Sequence, residues 1–311
     1  MPSGKPAADS SSPPTLRVIS VVEFLTVRDR PQSSAQIADQ LHLSRSTVGA
    51  ILAALDEKGW VIRLPDLTYQ LGPALIAISE RARPTLPHPE HVGAELDRLA
   101  QRLDCAAGLS TVHRGQLIVV AVTMDRGRIP AGIASGTRLP LVPPAGASII
   151  AHSDAVVQQA WLARVKPGDV AQFRRLLSVI QDTGVGVWGA GATDIENVDV
   201  IADVVSFLSD KPASAQLRNR VVQLLSSLNG NPYEPAQLGV DRELPVSVLT
   251  APVFDVEGVA RWELQIGPFQ PAVTRADRQR YIRELTSTAR RLTRNVDKPE
   301  NAPTSFNMEF N

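Results

Sequence analysis

Short polar and cationic side chains cluster at the start of one predicted helix. The positions are Ser44, a good N-cap, followed by Arg45, Ser46, Thr47 and Gly49 on the first turns. A helix that enters the major groove of DNA needs such groups there, because only short polar or cationic side chains reach base edges without steric clash. Arg45 would bind a guanine edge or a phosphate, and Ser46 and Thr47 would bind phosphates or bases. In the alternative interpretation, the two hydroxyls only start the helix and Arg45 is a solvated charge.

A second polar group begins the shorter helix that comes just before. Ser33 and Gln36 have the spacing of a capping box and Ser34 lies between them, so this N-terminus can present N–H groups to a phosphate. Plain capping is expected in addition. Arg63, on a predicted hairpin, is either a further phosphate contact or a solvated strand charge.

The order of the predicted elements around these residues indicates a winged helix-turn-helix over residues 14–72. A helix, a capped short helix, a tight turn and a longer helix precede two strands and one more helix. The predicted ranges are about 16–25, 33–41, 45–58, 60–64, 68–71 and 73–83. Residues 1–13 are expected to be a disordered tail, and a proline-rich boundary ends at residue 88.

The second domain, over residues 89–296, mixes helical and strand patterns. Helices are predicted at about 89–104, 144–152, 154–164, 169–182 and 275–295, and strands at about 105–112, 116–124, 128–136, 185–189, 246–254 and 259–266. We expect helices on one side of an antiparallel sheet, which makes the whole chain α+β. Thr274 should cap the last helix, whose arginines should form a solvated basic face or an oligomer contact. Residues 297–311 are expected to be a flexible tail.

Composition excludes several classes of protein. The 32 Lys and Arg residues balance the 32 Asp and Glu residues, so any contact with DNA must come from a local patch. A single cysteine, Cys105, excludes a disulfide framework and a cysteine-rich zinc site. No apolar run reaches the roughly 20 residues of a membrane helix, and no signal peptide is recognisable, so a cytoplasmic protein is expected.

The segments LRVISVVEFLT, SSAQIADQLHLSRSTVGAILAALDEKGWVIR and YQLGPALIAISERA resemble the N-terminal domain of the IclR family of bacterial transcription regulators. ELDRLAQRLDCAAGLSTVHRGQLIVV, GTRLPL, TAPVFDVEG and LQIGPF resemble its effector domain, and the resemblance covers residues 15–188 and 244–296. It implies a homodimer or dimer of dimers that binds a palindromic operator in double-stranded DNA. It also implies a linker helix, at 73–88, leading to a GAF-like α/β sensor domain that responds to a small organic effector.

The chain departs from this family at several motifs. The family usually continues Pro-Leu with His-Ala-Thr-Ala-x-Gly-Lys-Ala, whereas VPPAGAS follows Leu141, and Val248 stands where a cysteine is common. Residues 189–243 form an insertion without a counterpart. Gly49 and Ala50 replace a frequent His-Arg, which removes a cation and lets the helix approach DNA more closely.

The family places its ligand between the sheet and the loops around GTRLPL and APVFD. The matching positions are Leu141, Ala145, Gly146, Val248 and Thr250. Most of them are small or apolar, so we expect an apolar effector, aromatic or alicyclic, with Trp188 or Trp262 near it. Alternatively, both tryptophans are ordinary core residues.

No catalytic constellation, metal-ligand cluster or cofactor motif is recognisable, so an enzyme is not expected. His88 and His91 lack a third ligand nearby and Pro89 breaks their helical geometry. The alternative to a regulator is an architectural or partner-binding protein that kept the winged fold and lost its effector site.

Overall fold

The computed structural model describes residues 12–26, 28, 30–82, 89–123, 135–165, 167–191 and 230–295. The chain divides into two compact units, Met1–Thr85 and Leu86–Asn311. Residues 1–11 of the first predicted tail and all of the second lie outside the described residues. Most of the strand predicted at 128–136 and the helical stretches of the insertion within 192–229 also lie outside them. Among the described helices, none combines the length and apolar character needed to cross a bilayer.

The N-terminal unit has the predicted order of helices and hairpin. Its helices are α1 (Pro13–Thr26), α2 (Ser34–Leu41), α3 (Arg45–Glu57) and α4 (Ala74–Ala82), and its strands are β1 (Gln32–Ser33), β2 (Val61–Arg63) and β3 (Thr68–Leu71). The strands form an antiparallel sheet in the order β1-β3-β2. The pairing of β1 with β3 was not predicted, because two residues carry no periodicity.

Local capping fixes the helix-turn-helix. The Ser33 side chain accepts the Gln36 N–H while the Gln36 side chain accepts the Ser33 N–H, so the predicted capping box is confirmed. His42, with a φ of 53°, turns the chain between α2 and α3. Gly59, with a φ of 68°, turns the chain between α3 and β2. One apolar core, which includes the fully buried Val21, Ile37, Val48 and Leu52, joins α1, α2 and α3.

The C-terminal unit is built around a seven-stranded sheet. Its helices are α5 (Pro89–Leu103), α6 (Ala147–Ala151), α7 (Ala155–Leu162), α8 (Val170–Thr183), α9 (Pro235–Leu238) and α10 (Arg275–Asn295). Its strands are β4 (Ala106–His113), β5 (Gln116–Val122), β6 (Arg138–Pro140), β7 (Gly186–Gly189), β8 (Asn231–Pro232), β9 (Leu244–Val246), β10 (Val248–Phe254), β11 (Ala260–Gly267) and β12 (Gln270–Val273). The sheet order is β6-β5-β4-β11-β10-β7-β8, with antiparallel pairs throughout, and β9 pairs with β12 beside it. The α+β class is confirmed.

Helices cover both faces of this sheet, so the expectation of helices on one side was wrong. Leu249, Ala251 and Val253 of β10 pack into one core with α5 and α10. On the opposite face, Val248 joins a second core with residues of α6, α7 and α8. Successive residues of a strand point to opposite faces, so a strand with cores on both sides is buried along its whole length. We call the face toward α6 the inner face.

Candidate functional site

The first turn of α3 presents polar groups to solvent. Ser44 Oγ accepts the Thr47 N–H at 3.1 Å and lies 2.7 Å from Thr47 Oγ1 and 3.0 Å from Ser46 Oγ. Arg45 is exposed, and no hydrogen bond or ion pair holds its side chain within the described residues. Capping therefore uses Ser44, while the Arg45 guanidinium stays available for an external partner.

Strand β1 places the start of α2 beside the β2–β3 hairpin, which we call the wing. Gln32 pairs with Tyr69 and Ser33 with Thr68, while Arg63 of β2 pairs with Tyr69 from the other side. The three strands therefore lie within about 10 Å, two strand spacings. Gln36 and Arg63 are exposed, and Ser33 and Ser34 are half-buried. The Ser33 and Gln36 side chains are committed to the capping box, so this region would contact phosphate mainly through its backbone.

Charge is unevenly distributed along α3. Arg45 lies at its N-terminus, whereas Asp56 and Glu57 lie at its C-terminal end, where Glu57 pairs with Lys58 at 2.9 Å and Asp56 accepts the Arg63 N–H at 3.2 Å. Gly49 is exposed, and a Cβ added there would meet nothing within 4 Å. The end that could approach a phosphate backbone is therefore the N-terminal one, where the helix dipole is also positive.

The residues predicted to surround an effector come together on the inner face. Leu141, Ala145, Trp188 and Val248 belong to one apolar cluster that also contains Trp161 and Phe269. Thr250 is buried, and its hydroxyl lies 2.7 Å from the Ser148 hydroxyl. Trp262 packs in the core on the opposite face, which agrees with the alternative expectation that it is an ordinary core residue.

A buried carboxylate that sequence reasoning missed lies on the same inner face, beside the loop around Gly146. Glu263 of β11 is 1% exposed, and its two oxygens accept the N–H groups of Gly146 at 3.2 Å and Ser148 at 2.8 Å. Burial raises the pKa of Glu263 to about 7, although these N–H groups and the Ser148 hydroxyl act in the opposite direction. Its place in the sequence RWEL gave no signal of burial, because an acid between apolar residues of a strand is typical of a solvated face.

The loop around Gly146 is held from two sides. Glu263 binds its N–H groups from the sheet, while Arg164 Nη1 and Trp161 Nε1 donate to the carbonyls of Leu141 and Ala145 at 2.7 and 3.0 Å. Gly146 has a φ of 75°, and an added Cβ would lie 2.7 Å from Leu141 Cδ1. The positive φ favours glycine there, and any larger residue would also have to displace the Leu141 side chain.

Glu263 should give the C-terminal unit a distinctive pH dependence. Burial raises the pKa of Glu263 to about 7, above the ordinary value of a glutamate in the unfolded chain, so the folded chain binds more protons between these two values. We expect the free energy of unfolding to fall by up to about 3 kcal/mol as pH rises from about 5 to 8. Glu263→Gln should lose this component, as urea unfolding across that range would measure.

Other groups also change the free energy of unfolding between pH 5 and 8. The pH dependence of the wild-type protein must therefore be compared with that of the variant. Burial lowers the pKa of His152, at the end of α6, which makes stability rise with pH through the histidine range. The difference between the wild-type and Glu263→Gln slopes isolates the carboxyl. Equal slopes would show that Glu263 does not titrate between pH 5 and 8.

The comparisons with known proteins agree with the N-terminal architecture. Residues 15–65 match the family model described as the IclR helix-turn-helix domain. This match confirms the resemblance found in the sequence. No curated protein matches the sequence significantly.

Solved structures match over nearly the whole chain. An IclR homologue from Microbacterium hydrocarbonoxydans, crystallised with 4-hydroxybenzoate, is 18% identical with a TM-score of 0.58, over 91% of this chain and 98% of that one. An IclR regulator from Alicyclobacillus acidocaldarius is 19% identical with a TM-score of 0.56, over 92% and 99%. The Thermotoga maritima IclR is 16% identical with a TM-score of 0.54, over 91% and 98%. At these identities the likeness establishes the fold.

Proposed function

We propose that this chain, whose N-terminal unit carries an IclR-type helix-turn-helix domain, is a sequence-specific DNA-binding transcription regulator. The observation that carries the proposal is the first turn of α3, where the unpaired Arg45 stands beside exposed hydroxyls on a helix built to enter a major groove. Ser33, Ser34 and Gln36 of α2 and Arg63 of the wing would position the domain on the phosphates. Binding to the chromosome would place the protein in the bacterial cytoplasm.

The proposal includes a homodimer, or a dimer of dimers, on a palindromic operator. One winged domain makes too few contacts for specific affinity, and two would read half-sites about one helical turn apart or a multiple of it. Apolar side chains exposed on α1 and α4 of the N-terminal unit support self-association: Leu16, Ile19, Ile76 and Ile78. Analytical ultracentrifugation with and without operator DNA would measure the assembly.

Binding of the purified protein to its own upstream DNA tests the function. Fluorescence anisotropy would compare that duplex with a scrambled one across a salt series. Preferential binding with a steep salt dependence supports the regulator, because phosphate contacts release counterions and base contacts discriminate sequences. Equal, weak binding to both duplexes would instead favour a partner-binding protein.

Replacing Arg45 by alanine should weaken operator binding by about 1–3 kcal/mol if Arg45 reads a base. The matched control is Lys58→Ala, which removes a cation beyond the opposite end of α3, where Lys58 pairs with Glu57. Anisotropy titrations should show the loss only for Arg45→Ala. If affinity and sequence preference both stay at the wild-type level, Arg45 does not contact the operator.

The second domain is proposed to sense a small organic effector on the inner face. The 4-hydroxybenzoate complex of the Microbacterium homologue supports ligand binding by this fold, and the apolar cluster around Leu141 and Val248 supports an apolar ligand. The dense packing of that cluster favours the second candidate, a winged protein whose effector site is lost. A ligand-dependent rise in melting temperature would distinguish the two.

A further inference from the structure

The Glu263 carboxylate occupies the polar end of the inner-face region. Both of its oxygens are used, one by the Gly146 N–H and the other by the Ser148 N–H. Gly146 is in the left-handed conformation, and a turn of this kind directs neighbouring N–H groups toward one point, which suits an anion. A carboxylate is the side chain that can accept two such donors on separate oxygens without offering a donor of its own.

Glu263 differs from Glu95, the second buried acid among the described residues of this unit, in lacking a cationic partner there. Glu95 is 3% exposed and is paired with Arg291 and Arg98 at 2.8 and 3.1 Å. No Lys, Arg or His of the described residues forms an ion pair with Glu263. If this side chain only filled space, an apolar residue would be more stable there, because burying a carboxylate without a cationic partner costs free energy. The two N–H groups of the loop are therefore what this carboxylate is placed to bind.

We propose that Glu263 acts as a built-in carboxylate ligand that closes the inner-face site to small carboxylates. This rests on the proposed regulator function, because it specifies which effectors that domain accepts. A free carboxylate would have to displace Glu263 from both N–H groups and leave a second negative charge buried beside it. The site then selects an uncharged, largely apolar molecule.

An unsatisfied donor in the apolar cluster fits the same class of ligand. Trp188 is 1% exposed, and its Nε1 has no hydrogen-bond partner within the described residues. Trp188 shares the apolar cluster with Leu141 and Val248. An acceptor oxygen on an uncharged ligand, such as a carbonyl or hydroxyl, would satisfy this N–H.

Chemical complementation with acetate tests the proposal. Glu263→Ala removes the terminal carbon atoms and the carboxylate, which together have the size of acetate. The melting temperature of the full chain should drop, and acetate should then raise it saturably by about 5 °C relative to chloride at equal ionic strength. The wild-type protein should not respond to acetate. The control is Glu257→Ala, on the exposed β10–β11 hairpin, which should behave as wild type.

A second variant keeps the test decisive if Glu263→Ala does not fold. Glu263→Gln retains the volume, so it should fold with a lower melting temperature and show no response to acetate. A saturable acetate response of the wild-type protein, or a folded Glu263→Ala that acetate leaves unchanged, would overturn the proposal. Acetate complementation without operator binding would remove the regulator function but keep the role of Glu263; operator binding without complementation would do the reverse.

Discussion

Replacing Arg278 by methionine is expected to destabilise the C-terminal unit by about 4 kcal/mol. Arg278 is 1% exposed, and its guanidinium donates to the carbonyls of Leu238, Val240, Arg242 and Val273. These bonds use all five N–H donors of the side chain. Methionine keeps much of the volume but leaves four carbonyls without that donor.

Thermal and urea unfolding of matched variants would measure this loss. The control is Arg275→Met, one turn earlier on α10, because Arg275 is 47% exposed and pairs with the exposed Asp241. We expect a loss below about 1 kcal/mol for that exposed pair. Arg278→Met should melt about 10 °C lower than wild type. Equal melting temperatures for the two variants would mean that the buried hydrogen bonds of Arg278 contribute little.

The sequence was most informative where structure depends on neighbouring residues. The capping box at Ser33 and Gln36, the N-cap at Ser44 and the cap of α10 at Thr274 are confirmed, because each is a hydrogen bond between side chain and backbone three residues apart. The N-cap at Ser44 also predicted where α3 begins, and the first turn of α3 carries the candidate DNA contacts. Whether those side chains bind an operator stays a prediction.

The second face of the sheet could not be found in this way. In β11 the polar residues Arg261, Glu263 and Gln265 alternate with Trp262, Leu264 and Ile266, a pattern typical of one solvated face. Glu263 is nevertheless buried, because α6 packs over it through contacts more than 100 residues apart in sequence. A local pattern cannot show which helix covers a strand. The apolar run of β10 was the better indication that both faces are buried.

The arginines of α10 also show that a local sequence pattern does not reveal burial by distant elements. A solvated basic face was expected, and Arg275 fits it, but Arg278 is buried and Arg291 contacts a buried acid. Helical periodicity places residues on a face, yet charged side chains enter a core when long-range partners meet their hydrogen bonds. The distant partners are Glu95 on α5 for Arg291, and the end of α9 with the loop after it for Arg278, which sequence spacing does not bring together.

Arg291→Met is expected to cost about 3 kcal/mol of stability through the acid it leaves behind. Arg291 Nε lies 2.8 Å from Glu95 Oε2, and the Glu95 side chain is 4% exposed. The Arg291 guanidinium also donates to the hydroxyls of Ser287 and Thr288. Arg98 remains at 3.1 Å from the other oxygen of Glu95, so we expect a partial rather than a complete loss of compensation.

A second ion pair between the same two helices provides the control for Arg291. Arg102 of α5 lies 2.9 Å from Glu284 of α10, with side chains 57% and 31% exposed, so Arg102→Met should cost below about 1 kcal/mol. Urea unfolding of Arg291→Met, Glu95→Gln and the double variant gives the coupling energy. Because neutralising Glu95 removes a buried charge that Arg98 alone would otherwise compensate, the double variant should be more stable than Arg291→Met alone. Additive losses would instead show that Arg291 and Glu95 act independently, with Arg291 stabilising α10 through its packing and its bonds to Ser287 and Thr288.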